Sequence, residues 1–287
     1  MAAGRAHNGV ILDASPLPRW TIAALGETDD FRRKPDEWDT IFRLFTSRAS
    51  NKQELSSLSY RSDGWRYPLV LCIDDVLDPG NLGAIIRSAY FLGVDALAID
   101  HGTCAPPSNV ALKASAGAAE VMPLLSIEST RNFLAESKKN GWSIYAGMTP
   151  EPAPPTPDLA SKFSESSTAE TASSHPLPVN PSESSTSALH LADAQTPSKR
   201  LVDHIPLVQH PCLLLFGGEG RGLRKTLSAH ADYLVSMTAA KRPHDVGVDS
   251  LNVSVAASVI AAEFLRRPPA RTLERERRRT VGADLGF

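Results

Sequence analysis

Residues suited to chemistry are concentrated in three short segments, each of which follows a predicted strand. The first segment is Asp78–Ala89, with the sequence DPGNLGAIIRSA. Asn81 opens a predicted helix, and Arg87 lies nearly two turns further along it. The planar guanidinium of an arginine suits a phosphate group. Considered alone, the segment fits equally well a capped helix with a solvated arginine.

The second segment is a glycine loop, Phe216–Leu223, with the sequence FGGEGRGL. Its glycines, which include Gly217, Gly218 and Gly222, allow the backbone to approach a ligand closely. The loop is not a P-loop, because no Gly-Lys-Ser/Thr follows, and its spacing also differs from the dinucleotide-binding fingerprint. A tight turn between a strand and a helix is the simpler interpretation of this loop on its own.

The third segment is Asp249–Ala256, with the sequence DSLNVSVA. Either Ser250 or Asn252 is a suitable cap for the last predicted helix. A capping side chain can also contact a ligand, so the two interpretations are compatible. Because the sequence has no cluster with metal-ligand spacing, we expect no metal site.

The elements around these segments alternate between strand and helix patterns. Leu69–Ile73 is an apolar run typical of a buried strand, and the helix after it has apolar residues at i, i+3, i+4 and i+7. Further strands are predicted at Val94–Ile99, Val121–Leu125, Ser143–Met148, Cys212–Phe216 and Tyr233–Met237, and further helices at Asn109–Gly117, Thr130–Asn140 and Asn252–Arg267. This alternation predicts an α/β fold, with a mostly parallel sheet covered by helices on both faces. Ligands of such sheets bind beyond the carboxyl ends of the strands.

Composition divides the chain into a central domain and three other parts. Residues 1–67 form a lead-in with a short amphipathic piece at Ile41–Phe45 that favours a helix. Residues 68–267 form the main domain, which is interrupted at 150–204 by a segment rich in Pro, Ser, Thr, Ala and Glu. Such a composition predicts disorder, because it buries too little apolar surface to offset the entropy of ordering. Residues 268–287 form a basic tail, whose charges suit either a basic arm or a solvated surface.

The bulk composition excludes several classes of protein. The formal net charge of -2 shows no global excess of basic residues, so nucleic-acid binding would need a local basic patch or another domain. The 3 cysteines are far apart and odd in number, which argues against a disulfide framework and for a reducing compartment. No stretch approaches the roughly 18 to 20 apolar residues of a membrane span. The first residues predict neither a signal peptide nor a transit peptide.

In their order along the chain, the three segments resemble the signature motifs of the SpoU/TrmH branch of the SPOUT methyltransferases. Asn109–Glu120, which contains KASAGA, extends this resemblance. The opening His7–Leu17 resembles the junction between the RNA-binding and catalytic domains of mitochondrial rRNA ribose methyltransferases. The resemblance covers about residues 7–18, 68–148 and 208–267.

The resemblance implies a fold, a reaction and partners. The carboxy-terminal part of the sheet would form a deep trefoil knot, and two subunits would pair beside it as a homodimer. The cofactor would be S-adenosyl-L-methionine, and the substrate a ribose 2′-hydroxyl of RNA, with a guanosine of mitochondrial large-subunit ribosomal RNA favoured. The location would then be the mitochondrial matrix, with no membrane partner, and an RNA-recognition domain would precede His7.

The resemblance also implies which residues hold the cofactor. Backbone groups of Gly217, Met237 and Leu251 would hold its adenine and ribose. Gly218 and Gly222 belong to the same glycine loop. The loop after Met237 is longer than the usual family pattern, which makes this position the weakest match of the three.

On the RNA side, the resemblance implies roles for five polar residues. Arg87 would engage an RNA phosphate and lower the free energy of a forming alkoxide; it is a poor base, because the pKa of a guanidinium is above about 12. Asn81 and Asn252 would offer amide groups to the ribose. Glu219 would orient Arg87 or Asn81, and Ser250 would contact the hydroxyl or the phosphate.

Three other functions are compatible with parts of the pattern. The substrate could be tRNA, or the chain could be an inactive RNA-binding or ribosome assembly factor with the same fold. The intact polar residues of the three segments argue against an inactive protein. A different α/β nucleotide enzyme is disfavoured by the absence of P-loop and dinucleotide spacings.

Overall fold

The computed structural model describes residues 20–33, 40–48, 51–148, 189–193, 196–200, 205–218, 222–237, 248 and 250–284. The strands are β1 Trp20–Ile22, β2 Ala24–Thr28, β3 Ile41–Arg48, β4 Asn51–Ser59, β5 Leu69–Ile73, β6 Ala96–Asp100, β7 Leu124–Ile127, β8 Ser143–Met148, β9 Leu189–Asp193, β10 Thr196–Arg200, β11 Cys212–Phe216 and β12 Tyr233–Met237. The helices are α1 Pro79–Leu92, α2 Asn109–Ala114, α3 Thr130–Lys139, α4 Pro206–Gln209, α5 Lys225–Ser228, α6 Val253–Phe264 and α7 Ala270–Asp284.

A nine-stranded sheet forms the centre of the molecule, in the order β1-β7-β6-β5-β11-β8-β12-β9-β10. Every neighbouring pair from β1 to β12 is parallel, and only β9 and β10 run antiparallel. α1 and α6 contribute to the hydrophobic core on one face, and α3 and α5 contribute to the core on the other. The predicted α/β class and mostly parallel sheet are confirmed.

The central strand β5 shows why these residues form a sheet buried on both faces. Leu69 and Leu71 belong to one core, whereas Val70 and Cys72 belong to the other. Successive side chains of a strand point to opposite faces, so an uninterrupted apolar run is required when both faces are covered. β5 and its neighbour β11 are buried along their whole length.

Helix α1 begins at Pro79, two residues before the predicted start at Asn81. The Asp78 side chain caps it by accepting hydrogen bonds from the backbone N–H groups of Gly80 (3.2 Å) and Asn81 (3.0 Å). Proline is favoured at the first helical position, because its missing N–H would have no partner there. Gly93 ends the helix in the left-handed conformation, with φ 86°.

The helix expected around Ile41–Phe45 is wrong, since this segment lies in β3. β2, β3 and β4 form a separate antiparallel sheet of three strands. Phe42 and Leu44 are fully buried and Arg43 between them is not, which is the two-residue period of a strand. The small sheet is held against the main domain, where Trp142 Nε1 donates a 2.8 Å hydrogen bond to the Gly26 carbonyl.

The disorder expected across residues 150–204 is also wrong for part of that range. Leu189–Asp193 and Thr196–Arg200 are antiparallel strands added to the sheet beside β12. Strand pairing uses backbone groups, so an edge hairpin does not need the apolar composition of a core. Residues 150–188, 194–195 and 201–204 lie outside the described residues. The basic tail contains helix α7, in which Leu273 packs against the core.

Within the ranges described, no helix is long and apolar enough to cross a membrane.

Candidate active site

The first and third segments meet through a direct contact between two asparagines. Asn252 Nδ2 donates a 3.1 Å hydrogen bond to Asn81 Oδ1, although the residues are 171 positions apart. Asn252 also caps α6, because its Oδ1 accepts hydrogen bonds from the Ser254 N–H (2.9 Å) and hydroxyl (2.6 Å). The capping function that the sequence left open therefore belongs to Asn252. Ser250 is exposed and lies two residues earlier.

Arg87 lies on the wall of a groove between α1 and α6, which pack against each other. The groove has a volume of about 870 Å³. Tyr90 and Phe91 line it from α1, Ser258 and Val259 from α6, and residues 115–118 from the segment after α2. Arg87 is exposed, and among the described residues it makes no ion pair. Its guanidinium is therefore available to an anion.

At the start of the glycine loop, the backbone leaves no room for side chains. A Cβ added to Gly217 would lie 2.6 Å from the Gly222 carbonyl oxygen and 2.6 Å from the backbone nitrogen of Leu223. A Cβ at Gly218 would overlap the backbone of Asp75, which follows β5. Such distances are far inside van der Waals contact, so both positions require glycine. Gly218 and Gly222 form an isolated antiparallel bridge across the loop.

Two of the three proposed cofactor contacts, Gly217 and Met237, lie at one end of the sheet. β11 ends just before Gly217 and β12 ends at Met237, and both strands are parallel to β8. The carboxyl ends of parallel strands share one edge, which is where ligands of such folds bind. Leu251 is 51% exposed and adjoins Asn252. Glu219 and residues 238–247 lie outside the described residues, so the role expected of Glu219 stays a prediction.

An ion pair between the buried Asp74 carboxylate and the half-exposed Arg224 is a feature that sequence reasoning missed. Asp74 directly follows β5, and Arg224 directly follows the glycine loop. Arg224 donates to the Asp74 carboxylate through Nη2 (2.6 Å) and Nε (3.0 Å). This hydrogen bonding raises the pKa of Arg224 above its ordinary value. The available signal was an acidic residue at the end of a buried strand, which needs a partner.

Metal binding has no evident site in the described part of the chain. No group of three or more His, Cys, Asp or Glu side chains there is arranged to hold a metal ion. The candidate site instead offers amides, one guanidinium and tightly packed backbone.

Comparison with known proteins identifies the family. The sequence profile of the SpoU rRNA Methylase family matches residues 68–172 and 179–262 of this chain. This chain therefore belongs to the SpoU rRNA methylase family, as its three segments predicted. The matched range contains both asparagines, Arg87 and the glycine loop.

Several curated relatives are similar over most of this chain. The mitochondrial rRNA methyltransferase 1 of Saccharomyces cerevisiae is 30% identical over 268 residues, which are 90% of this chain and 55% of the relative. Its human counterpart is 30% identical over 74% of this chain and 50% of the relative. The chain thus spans about half the length of these mitochondrial relatives. A 23S rRNA (guanosine-2′-O-)-methyltransferase from Pseudomonas aeruginosa is 27% identical over 93% of this chain and 87% of its own length.

Proposed function

We propose that this chain is the catalytic part of an RNA ribose methyltransferase, which transfers a methyl group from S-adenosyl-L-methionine to a ribose 2′-hydroxyl. The observation that carries the proposal is the Asn81–Asn252 contact, which joins two of the three family motifs. The names of the relatives support ribosomal RNA as the substrate, and a guanosine as the nucleotide. The mitochondrial relatives further support a mitochondrial location.

The glycine loop fits the proposed cofactor. At Gly217 and Gly218 the backbone is packed so closely that no side chain is tolerated, which leaves main-chain groups as the surface offered to a ligand. We assign the adenine and ribose to backbone groups of Gly217, Met237 and Leu251. The carboxy-terminal trefoil knot is part of the same proposal. Two observations support it: β11 lies between β5 and β8 in the sheet, and the chain after β12 passes back to α1, where Asn252 contacts Asn81.

The chemical step is an in-line displacement at a methyl group. When bound, the cofactor supplies that methyl group on a positively charged sulfur. Arg87 binds the phosphate beside the target ribose and stabilises negative charge on the 2′-oxygen as its proton passes to solvent water. Asn81 and Asn252 hold the ribose so that the oxygen faces the methyl carbon, since alignment alone accounts for a large part of such barriers. Ser250 contributes a hydroxyl near the same groups.

A second copy of this chain is proposed to cover the groove beside Arg87. Phe91 is 86% exposed and Tyr90 is 54% exposed, and Val121 and Val259 are also exposed on the groove. Soluble monomers rarely expose a contiguous apolar patch of this kind. Because Arg87 lines the same groove, a symmetric dimer would place this residue beside the subunit interface and reduce its contact with water.

Helix α7 is proposed to add contacts to the RNA backbone. Arg271, Arg275 and Arg278 are exposed and follow one another at i, i+4 and i+7, so they lie on one face of α7. Arg278 also pairs with Glu274 at 2.7 Å. The formal net charge of the chain is -2, so binding to phosphates needs a local basic surface. This face of α7 provides one.

The experiment that tests the function is methyl transfer by the purified chain. We expect it to methylate a fragment of large-subunit ribosomal RNA, and mass spectrometry of the digested nucleosides should identify 2′-O-methylguanosine. Transfer to a tRNA instead would support the alternative substrate. Binding of RNA without any transfer would support an inactive assembly factor.

A further inference from the structure

We propose that the ion pair between Asp74 and Arg224 is a clasp that holds the glycine loop in its cofactor-binding shape. Arg224 is then a positioning residue for methyl transfer, although it lies outside the three motifs. The inference rests on the proposed function, because it assumes that the glycine loop binds S-adenosylmethionine.

The two ends of the glycine loop are both fastened to one residue, Asp74. At the start of the loop, the Asp74 N–H donates a 3.0 Å hydrogen bond to the carbonyl of Phe216. At the end of the loop, the Asp74 carboxylate accepts two hydrogen bonds from Arg224, at 2.6 and 3.0 Å. Between these points, Gly218 lies directly against the backbone of Asp75. The loop is therefore held at its entry, along its first residues and at its exit.

The burial of the carboxylate explains why this fastening is strong. The Asp74 side chain is 1% exposed, so its charge needs a partner, and a bidentate guanidinium is the most directional one. The hydroxyl of Thr103 also donates to Asp74 at 2.9 Å, and Thr130 lies at 3.4 Å. Asp74 therefore lies in a buried polar pocket. Its contact with Arg224 fixes the end of the loop at this pocket.

The exposure of Arg224 separates a local role from a general structural one. Its side chain is 51% exposed, so its removal opens no cavity in the core. Asp74 keeps the hydroxyl donor of Thr103, and water gains access to the position that the guanidinium leaves. We therefore expect loss of Arg224 to loosen the loop more than any other part of the sheet, with a smaller loss of overall stability from the unpaired Asp74 carboxylate.

The test compares three variants of the whole chain: Arg224→Ala, Arg224→Lys and Lys225→Ala. Lys225 is the adjacent residue, is exposed and makes no ion pair in the described structure, so it is the matched control. Hydrogen exchange of the loop amides, measured without cofactor, reports on the clasp directly. Calorimetry gives the affinity for S-adenosylmethionine, and steady-state assays separate KM for the cofactor from kcat.

In Arg224→Ala, we expect faster exchange in residues 217–223 and cofactor affinity lower by about tenfold or more, since hydrogen bonds to charged groups are lost. kcat at saturating cofactor should stay within about twofold, because such a change removes uniform binding only. Arg224→Lys should recover part of the affinity, and Lys225→Ala should match the original chain.

Unchanged exchange and affinity in Arg224→Ala would overturn the clasp. Exchange that becomes faster by the same factor in the loop and throughout the sheet would overturn it in favour of a general structural role. If the original chain failed to bind the cofactor, the proposed function would be wrong, and the exchange measurement would still decide whether Arg224 fastens the loop.

Discussion

Replacing Asn252 separates its structural contribution from its contribution to the site. Its Oδ1 caps α6, and its Nδ2 donates to Asn81. Asn252→Ala removes both contacts, and loss of an N-cap costs about 1 kcal/mol of the free energy of unfolding. For a domain of this size, 1 kcal/mol lowers the melting temperature by roughly 2–4 °C. Asn252→Asp keeps the capping oxygen, because Asp and Asn cap equally well, but it removes the amide donor.

We therefore expect Asn252→Ala to be less stable and less active, and Asn252→Asp to be as stable as the original chain and still less active. The amide of Asn81 can rotate so that its NH₂ group faces an Asp at position 252. Its carbonyl oxygen then faces the ribose in place of the NH₂ group. Thermal unfolding and methyl-transfer assays on the same samples measure the two effects. Asn132→Asp, the same change on the exposed surface of α3, is the control. Full turnover by Asn252→Asp would refute the role assigned to the amide.

Three further predictions concern Arg87, Gly217 and Phe91. Arg87→Ala should lower kcat by about 10²–10³-fold, as expected for loss of one donor to a developing oxyanion, and calorimetry should show unchanged cofactor affinity; weakened cofactor binding would contradict its place on the RNA side. Gly217→Val should weaken cofactor binding first, because its side chain would clash with Gly222 and Leu223; calorimetry giving normal affinity would contradict the assignment of the loop. Phe91→Glu should convert the dimer to a monomer, as measured by analytical ultracentrifugation, and should lower turnover. The control Leu55→Glu, on β4 of the small sheet, should change neither property. A Phe91→Glu variant that stays dimeric would show that the groove is not the interface.

The sequence predicted the main sheet well because its strands are buried on both faces. Ser143–Met148 and Cys212–Phe216 were predicted with the bounds that the structure has. The prediction failed at Ile41–Phe45, where four apolar residues in five positions fit both a helical and a strand period. It also failed at Thr196–Arg200, because edge pairing through backbone groups has no compositional signal.

The sequence predicts which residues belong to the candidate site, but it does not predict their contacts. The order of the motifs identified Asn81 and Asn252, yet no local pattern indicates that side chains 171 residues apart share a hydrogen bond. The pairing of Asp74 with Arg224 depends on the route of the chain from β5 to β11, which periodicity does not encode. The groove beside Arg87 depends in the same way on how α1 crosses α6.

The most direct test of the proposed function is to locate a transferred methyl group. The purified chain is incubated with S-adenosylmethionine labelled in its methyl group and a saturating amount of a large-subunit ribosomal RNA fragment, and the RNA is then digested to nucleosides. We predict that mass spectrometry finds the label on the ribose of guanosine, and that the Arg87→Ala variant labels the RNA about 10²–10³-fold more slowly. Label on a base, or no label from a folded chain with bound cofactor and bound RNA, would contradict the proposed function.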